Sequence, residues 1–284
     1  MALDKRHVRI LTGNEFKLML RSPQGILALT FLCIYAGWVL AKLAGNADFI
    51  NRLASGNLSE EGTFVMVAVK WLVNIDDDVL SRIFVDHSPF LTMLFVMVAF
   101  MMPIFTMVVA LDQNASDIGS KGIRFFLPRT GRMNLVAGRF LGVTLFWAGV
   151  VVLLGVAGTL VALGVDEHHS AAIIFVDGLW FILGLFLIAL PFIAFMALCA
   201  VVTGSPLLAV TMGIGCYLGV ALMGGLGGWL HEGLKVIRFI FPATLRYDLM
   251  LGSAAEAAVA ALAMLGYTAV YLFGAGWIFK KRDL

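Results

Sequence analysis

Six long apolar runs constrain this 284-residue chain more than any other feature. They fall near 26–43, 89–111, 135–164, 171–202, 206–229 and 256–279. A bilayer's hydrocarbon core is about 30 Å thick, and a helix needs about 20 residues to cross it. Lipid offers no partner to backbone N–H and C=O groups, so a continuous apolar run crosses only as a helix. Composition agrees, because 61% of the residues are hydrophobic and 13% charged. The charged share is about half that of a soluble domain. The expected class is an all-α integral membrane protein with six transmembrane helices, a single transmembrane domain over 1–284. That length leaves no room for an added soluble enzyme.

Basic residues set the expected orientation, since Lys and Arg concentrate in cytoplasmic segments. Lys5, Arg6, Arg9, Lys17 and Arg21 precede the first run, and Lys280, Lys281 and Arg282 follow the last. Lys121, Arg124, Arg129 and Arg132 lie between runs two and three, and Arg139 at the entry to run three. With six spans all of these share one side, which predicts a multi-pass protein of the cell membrane with both termini cytoplasmic. The charged lead before the first run does not read as a cleavable signal, so span one is expected to be retained. A net charge of +2 is too small to suggest a nucleic-acid partner. Cys33, Cys199 and Cys216 lie in apolar runs and read as free, packed thiols.

The connecting segments carry most of the polar chemistry. Residues 1–24 contain an amphipathic stretch over 4–21. At about 100° per residue, Val8, Leu11, Leu18 and Met19 share one arc and Arg6, Arg9, Lys17 and Arg21 oppose it. That pattern predicts a cytoplasmic surface helix, either a plain contact with membrane lipids or a docking element. Residues 44–87 form a long outward segment with one apolar stretch, 63–73, too short to span. Ser59 is placed to cap it, with Glu60 and Glu61 in its first turn. Residues 230–255, broken at Pro242, read as short outward helices that dip into the membrane and return. Irregular backbone at that depth must be covered by protein or water.

Several chemistries have no motif. There is no phosphate-binding Gly-rich loop ending in Lys-Ser or Lys-Thr, so this chain does not read as a nucleotide binder. No H-E-x-x-H, C-x-x-C or G-x-S-x-G occurs, and no catalytic residue or metal site is assigned. His168 and His169 are adjacent and are expected in an outward turn. Charge is nearly absent from the spans, which argues against an ion relay. Asp177 is the exception and is expected at the outer headgroups.

The segment 112–139 then becomes informative. Gly119-Ser120, Arg124-Phe125-Phe126-Leu127-Pro128, Arg132 and Gly138-Arg139 resemble a pattern of type-2 ABC exporter permeases. Those proteins carry a Gly-Thr step, an apolar run to Pro, a Ser-Arg and a Gly-Lys ahead of span three. Here Ser120 stands for Thr, one extra residue precedes Arg132, and Arg139 stands for Lys. The tail from Trp277 to Leu284 also resembles the family's. The resemblance implies a permease subunit that pairs with a second copy of itself or a homologous permease. It would sit on two separate ABC ATPase subunits, which bind Mg-ATP, while this chain itself holds no cofactor. Residues 112–134 would be the coupling helix and its loop, with Gly119, Arg124, Phe125, Phe126, Leu127, Pro128, Arg132 and Arg139 making ATPase contact. ATP closure would rock the halves by alternating access. The bland alternative is that these residues bury the loop against the membrane.

Within the spans, Met93, Met97 and Met101 recur every four residues. They read as core packing, as an apolar substrate-facing wall, or least of all as a soft-metal face. Pro103 is expected to kink span two. Gly215-x-x-x-Gly219 and Gly224-x-x-x-Gly228 permit close helix approach, at a dimer seam or within one copy. A bundle poor in charge and rich in Met and Phe favours an amphipathic or lipidic exported substrate. A competing expectation is a membrane scaffold or assembly factor that binds an extracytoplasmic protein through 44–87. A membrane enzyme is the weakest reading, since Asp76, Asp77 and Asp78 form a solvated acidic run.

Overall fold

The computed structural model describes residues 4–48, 50, 86–113, 115–120, 131–230, 236–237 and 239–282. The apolar stretch 63–73, the acidic run 76–78 and Arg124, Phe125, Phe126, Leu127 and Pro128 lie outside the described residues. The helices are α1 (Lys5–Arg21), α2 (Pro23–Gly45), α3 (Pro89–Val109), α4 (Ala115–Gly119) and α5 (Arg132–Val165). They continue with α6 (Ala171–Thr203), α7 (Pro206–Leu230), a 3₁₀ turn (Pro242–Leu245), α8 (Asp248–Leu251) and α9 (Ala254–Lys281). No strand occurs among the described residues. Six helices, α2, α3, α5, α6, α7 and α9, are long and apolar enough to cross a membrane, as the six runs predict.

Helix ends follow local chemistry. The Ser22 hydroxyl accepts the Gly25 N–H at 3.0 Å, and Pro23 sits in the first turn of α2, where its missing N–H costs nothing. Ser253 and Glu256 form a reciprocal capping box on α9. Gly204 ends α6 in the left-handed region, at φ 68°, before Pro206 starts α7. At 34 and 33 residues, α5 and α6 are about 50 Å long and outreach a 30 Å hydrocarbon core.

The core is built around α6 and α3. α6 packs against α9, α5, α3 and α7, while α3 also meets α2. Ile193, Ala194, Met196, Leu94, Phe95 and Ala99 are fully enclosed. Glycines set the closest crossings: a Cβ at Gly158 would lie 2.7 Å from Leu94, and one at Gly178 would collide with Thr159. The helices around this pair turn large apolar residues outward, such as Phe31, Leu153, Leu207, Leu262 and Phe273. In lipid such side chains lose nothing by exposure.

Three expectations become more specific. A Cβ at Gly215 or Gly219 would meet nothing within 4 Å among the described residues, so neither sets a helix crossing there, and the surroundings of Gly224 and Gly228 lie outside the described side chains. Met93 is enclosed in the core while Met97 and Met101 are not. Four residues advance a helix by about 400°, so each step of the Met series drifts about 40° around it. The interior is also not free of charge: Asp177 is 2% exposed and Arg246 is 7% exposed. Asp177 is enclosed because it receives the start of α3. It accepts the Ser88 N–H at 2.7 Å and pairs with His87 Nδ1 at 2.7 Å.

Candidate functional site at the terminus-bearing end

The N-terminal helix and the end of α9 meet at the same end of the bundle, beside the segment between α3 and α5. α1 does not spend its apolar arc on lipid alone. It runs parallel to the first turns of α5: the Asp4 N–H donates to Asn134 Oδ1 at 3.2 Å, and Thr12 Oγ1 donates to Gly138 O at 3.2 Å. A Cβ at Gly138 would lie 2.6 Å from Leu11, and one at Gly142 2.5 Å from Glu15. Gly138-x-x-x-Gly142 is thus the close-approach pair that the sequence holds in plain view. Val8, Leu11, Glu15 and Met19 turn inward, while Leu18 is 53% exposed.

Arg139 is the charged centre of this corner. Its guanidinium bonds the Gln113 carbonyl and the Asp117 carboxylate, and its Nε lies 3.9 Å from Glu15 Oε2. It therefore ties the end of α3, the short helix α4 and the surface helix α1 to α5. Glu15 is almost enclosed, and burial pushes its carboxyl up to about 7. The Arg139 charge pulls the other way and Asp112 adds to the rise.

Two further arginines close helix ends. Arg132 Nη1 donates to the carbonyls of Phe279, Lys280 and Arg282 at 2.7, 2.8 and 3.0 Å. These are carbonyls that the last turn of α9 leaves free, and a cation there also suits the helix dipole. Arg282 in turn bonds Val201 O and reaches Val202 O at 3.3 Å, at the end of α6. Arg132 thus bonds back to the end of α9 at this nitrogen.

Gly119 sits where α4 meets the α6–α7 turn. A Cβ there would lie 2.7 Å from Gly204 O, and one at Gly204 would lie 2.8 Å from Arg282. Ile118 packs with Leu135, Val136, Val201, Ala275 and Phe279 in a small separate core. The structure therefore brings Gly119, Arg132 and Arg139 into one corner and ties each to a different helix. Met97 and Met101 lie elsewhere, on a partly open face of α3 with Phe100.

A family model described as a protein of unknown function (DUF2705) matches residues 63–284, more than three quarters of the chain. The chain belongs to the DUF2705 family. The matched region includes α3 to α9, so it contains Gly119, Arg132 and Arg139 but not α1, whose Glu15 completes the Arg139 cluster. No curated protein matches the chain.

At the opposite end, Asp166 Oδ1 accepts the N–H groups of His168 and His169 at 3.1 and 3.2 Å, forming the expected turn. No group of three or more His, Cys, Asp or Glu side chains suited to a metal occurs among the described residues. Sequence reasoning missed Glu15, Asp117 and Gly142. A polar residue on the inner arc of an amphipathic helix was the available signal for Glu15.

Proposed function

We propose that this chain is the membrane-spanning permease subunit of an ATP-driven exporter of the ABC type. Two copies act on two separate ATPase subunits that bind Mg-ATP, and the cargo is amphipathic or lipidic. The supporting observation is how the segment between α3 and α5 is rooted. On one side Asp117 and Gly119 bear on Arg139 and on the α6–α7 turn. On the other, Arg132 is bonded to the end of α9. A load applied to Phe125–Pro128 would reach α1, α5, the α6–α7 turn and α9 together, as rigid-body switching requires. The terminus-bearing end is the cytoplasmic end in this reading, in agreement with its basic residues. The resemblance of 119–139 to the coupling segment of such permeases adds to it.

The test is purification of the tagged protein from its native membranes in a mild detergent. An ATPase subunit should accompany it, and Phe125→Ala with Phe126→Ala should reduce that association while the protein still accumulates. A preparation without any ATPase subunit sinks the reading.

A further inference from the structure

Arg246 follows the 3₁₀ turn Pro242–Leu245, in a segment that penetrates far into the bundle. Phe241 of this segment is 1% exposed and packs on Phe192, Phe195 and Tyr217, with ring centroids 6.1, 4.8 and 5.7 Å away. Tyr271 Oη donates to Ile240 O at 2.6 Å and fastens the same stretch to α9. The Arg246 guanidinium reaches α3, its carbon 5.4 Å from the centroid of the Phe100 ring. Phe100 lies eleven residues after Pro89 and nine before Val109, about 15 Å from either end of α3. The charge therefore sits near the middle of the bundle's height.

A guanidinium at that depth is expensive and marks function when it lacks a counter-ion. Among the described residues no carboxylate pairs with Arg246. Its charge lies over the Phe100 ring and over the Tyr247 ring, whose centroid is 4.6 Å away. Nη1 donates to Tyr217 Oη at 3.3 Å, and Nε is buried with no hydrogen-bond partner. With Nη1 engaged and Nε unbonded, the Nε–Nη2 edge is the one that matches a carboxylate or phosphate with two parallel bonds. Phe100 belongs to the more open apolar face of α3: Met97 and Phe100 are exposed, and Met101 is half-buried. Methionine and phenylalanine suit a flexible chain of variable shape.

We infer that Arg246 binds the carboxylate or phosphate head of an amphiphile whose tail lies along Met97, Phe100 and Met101. Binding itself stands apart from the permease reading. That the bound amphiphile is the cargo rests on it.

The test uses the full-length protein in phosphatidylcholine nanodiscs. The probe is 11-(dansylamino)undecanoic acid, compared with its methyl ester and displaced by laurate, dodecyl phosphate or added phosphatidylglycerol. The acid should bind at least about tenfold more tightly than the ester, the scale of one charge-assisted hydrogen-bonded contact. Arg246→Gln should bring the two within about twofold, and Arg246→Lys should retain part of the preference. Displacement by laurate and dodecyl phosphate alone points to a single-chain source of the head, and displacement by phosphatidylglycerol as well points to a bilayer lipid. Both support the anion site. A diazirine analogue of laurate gives a reading without any substitution: cross-links that laurate competes away should map to the peptide holding Phe100 or Arg246. Equal affinity for acid and ester, a preference unchanged in Arg246→Gln, or cross-links only elsewhere overturn the inference. An absent ATPase subunit would remove the permease reading and leave these results standing.

Discussion

Arg139 Nε lies 3.9 Å from Glu15 Oε2 across the contact between α1 and α5, while the same guanidinium bonds Asp117. Removing the cation strands two carboxylates in a corner that water reaches poorly. Breaking a fully buried pair in this way costs about 3–5 kcal/mol. The cost here is smaller, because Asp117 keeps 26% of its side chain exposed. Arg139→Gln should lower the thermal midpoint of the purified protein by several degrees, and Arg139→Lys by less. An unchanged midpoint in Arg139→Gln would show that the cluster contributes nothing to stability.

Glu15 supplies a pH dependence with a definite sign. Its carboxyl is raised from 4.5 to about 7 in the fold. The folded state therefore holds a proton that the unfolded state gives up, so stability is greatest below pH 4.5 and falls until about pH 7. The loss is on the order of 3 kcal/mol, at 1.36 kcal/mol per pH unit. Glu15→Gln keeps the neutral shape and removes this loss. Thermal melts at pH 5 and pH 8 should show the parent losing more stability than the variant. Parallel losses would contradict the burial of Glu15.

The His87–Asp177 pair acts at the opposite end and also loses stability as pH rises. The Asp177 hydrogen bond holds the His87 imidazole above its ordinary value, against the opposing effect of burial. A raised histidine stabilises the fold below its unfolded pKa of about 6.5, and that contribution disappears as pH climbs through the folded value. Asp177→Asn removes the charge that holds the proton. The difference in melting temperature between parent and Asp177→Asn should shrink between pH 6 and pH 9. A constant difference over that range would assign Asp177 to the Ser88 N–H bond alone.

Two glycines of α5 should respond in opposite directions to the same substitution. Gly142→Ala places a methyl 2.5 Å from Glu15 Cβ and 3.0 Å from Thr12 O, so α1 must move away. Overpacking of this kind costs about 1–3 kcal/mol. Gly149→Ala meets nothing within 4 Å and gains about 0.5–1 kcal/mol of helix stability. Limited proteolysis of α1 and a thermal melt separate the two. Equal behaviour would mean that α1 does not bear on Gly142.

The spans were legible in the sequence because burial in lipid is written one residue at a time: a run of about 20 apolar residues has only one solution there. Arg132 and Arg139 were also visible as site residues, though not their partners. Arg132 serves the free carbonyls of α9, and no local pattern joins positions 132 and 279. The spacing of the Met series left its alternatives open for a geometric reason. A spacing of four is near the helical period but drifts, so Met93 turned inward and Phe100 joined Met97 and Met101 on the open face.

The chain alone thus determined six helices, the grouping of its basic segments and the lack of a nucleotide-binding loop. Each of these is a property of consecutive residues. Only the tertiary structure decided that α1 lies along Gly138 and Gly142, that Asp177 receives the start of α3, and that Arg246 stands at mid-depth against Phe100 and Tyr247. Arg246 sits in an amphipathic, Pro-broken stretch whose pattern reads as a shallow dip into the membrane and back, without fixing how deep any one side chain lies. Its depth comes from Phe241 packing on α6 and α7, a contact between elements far apart in sequence.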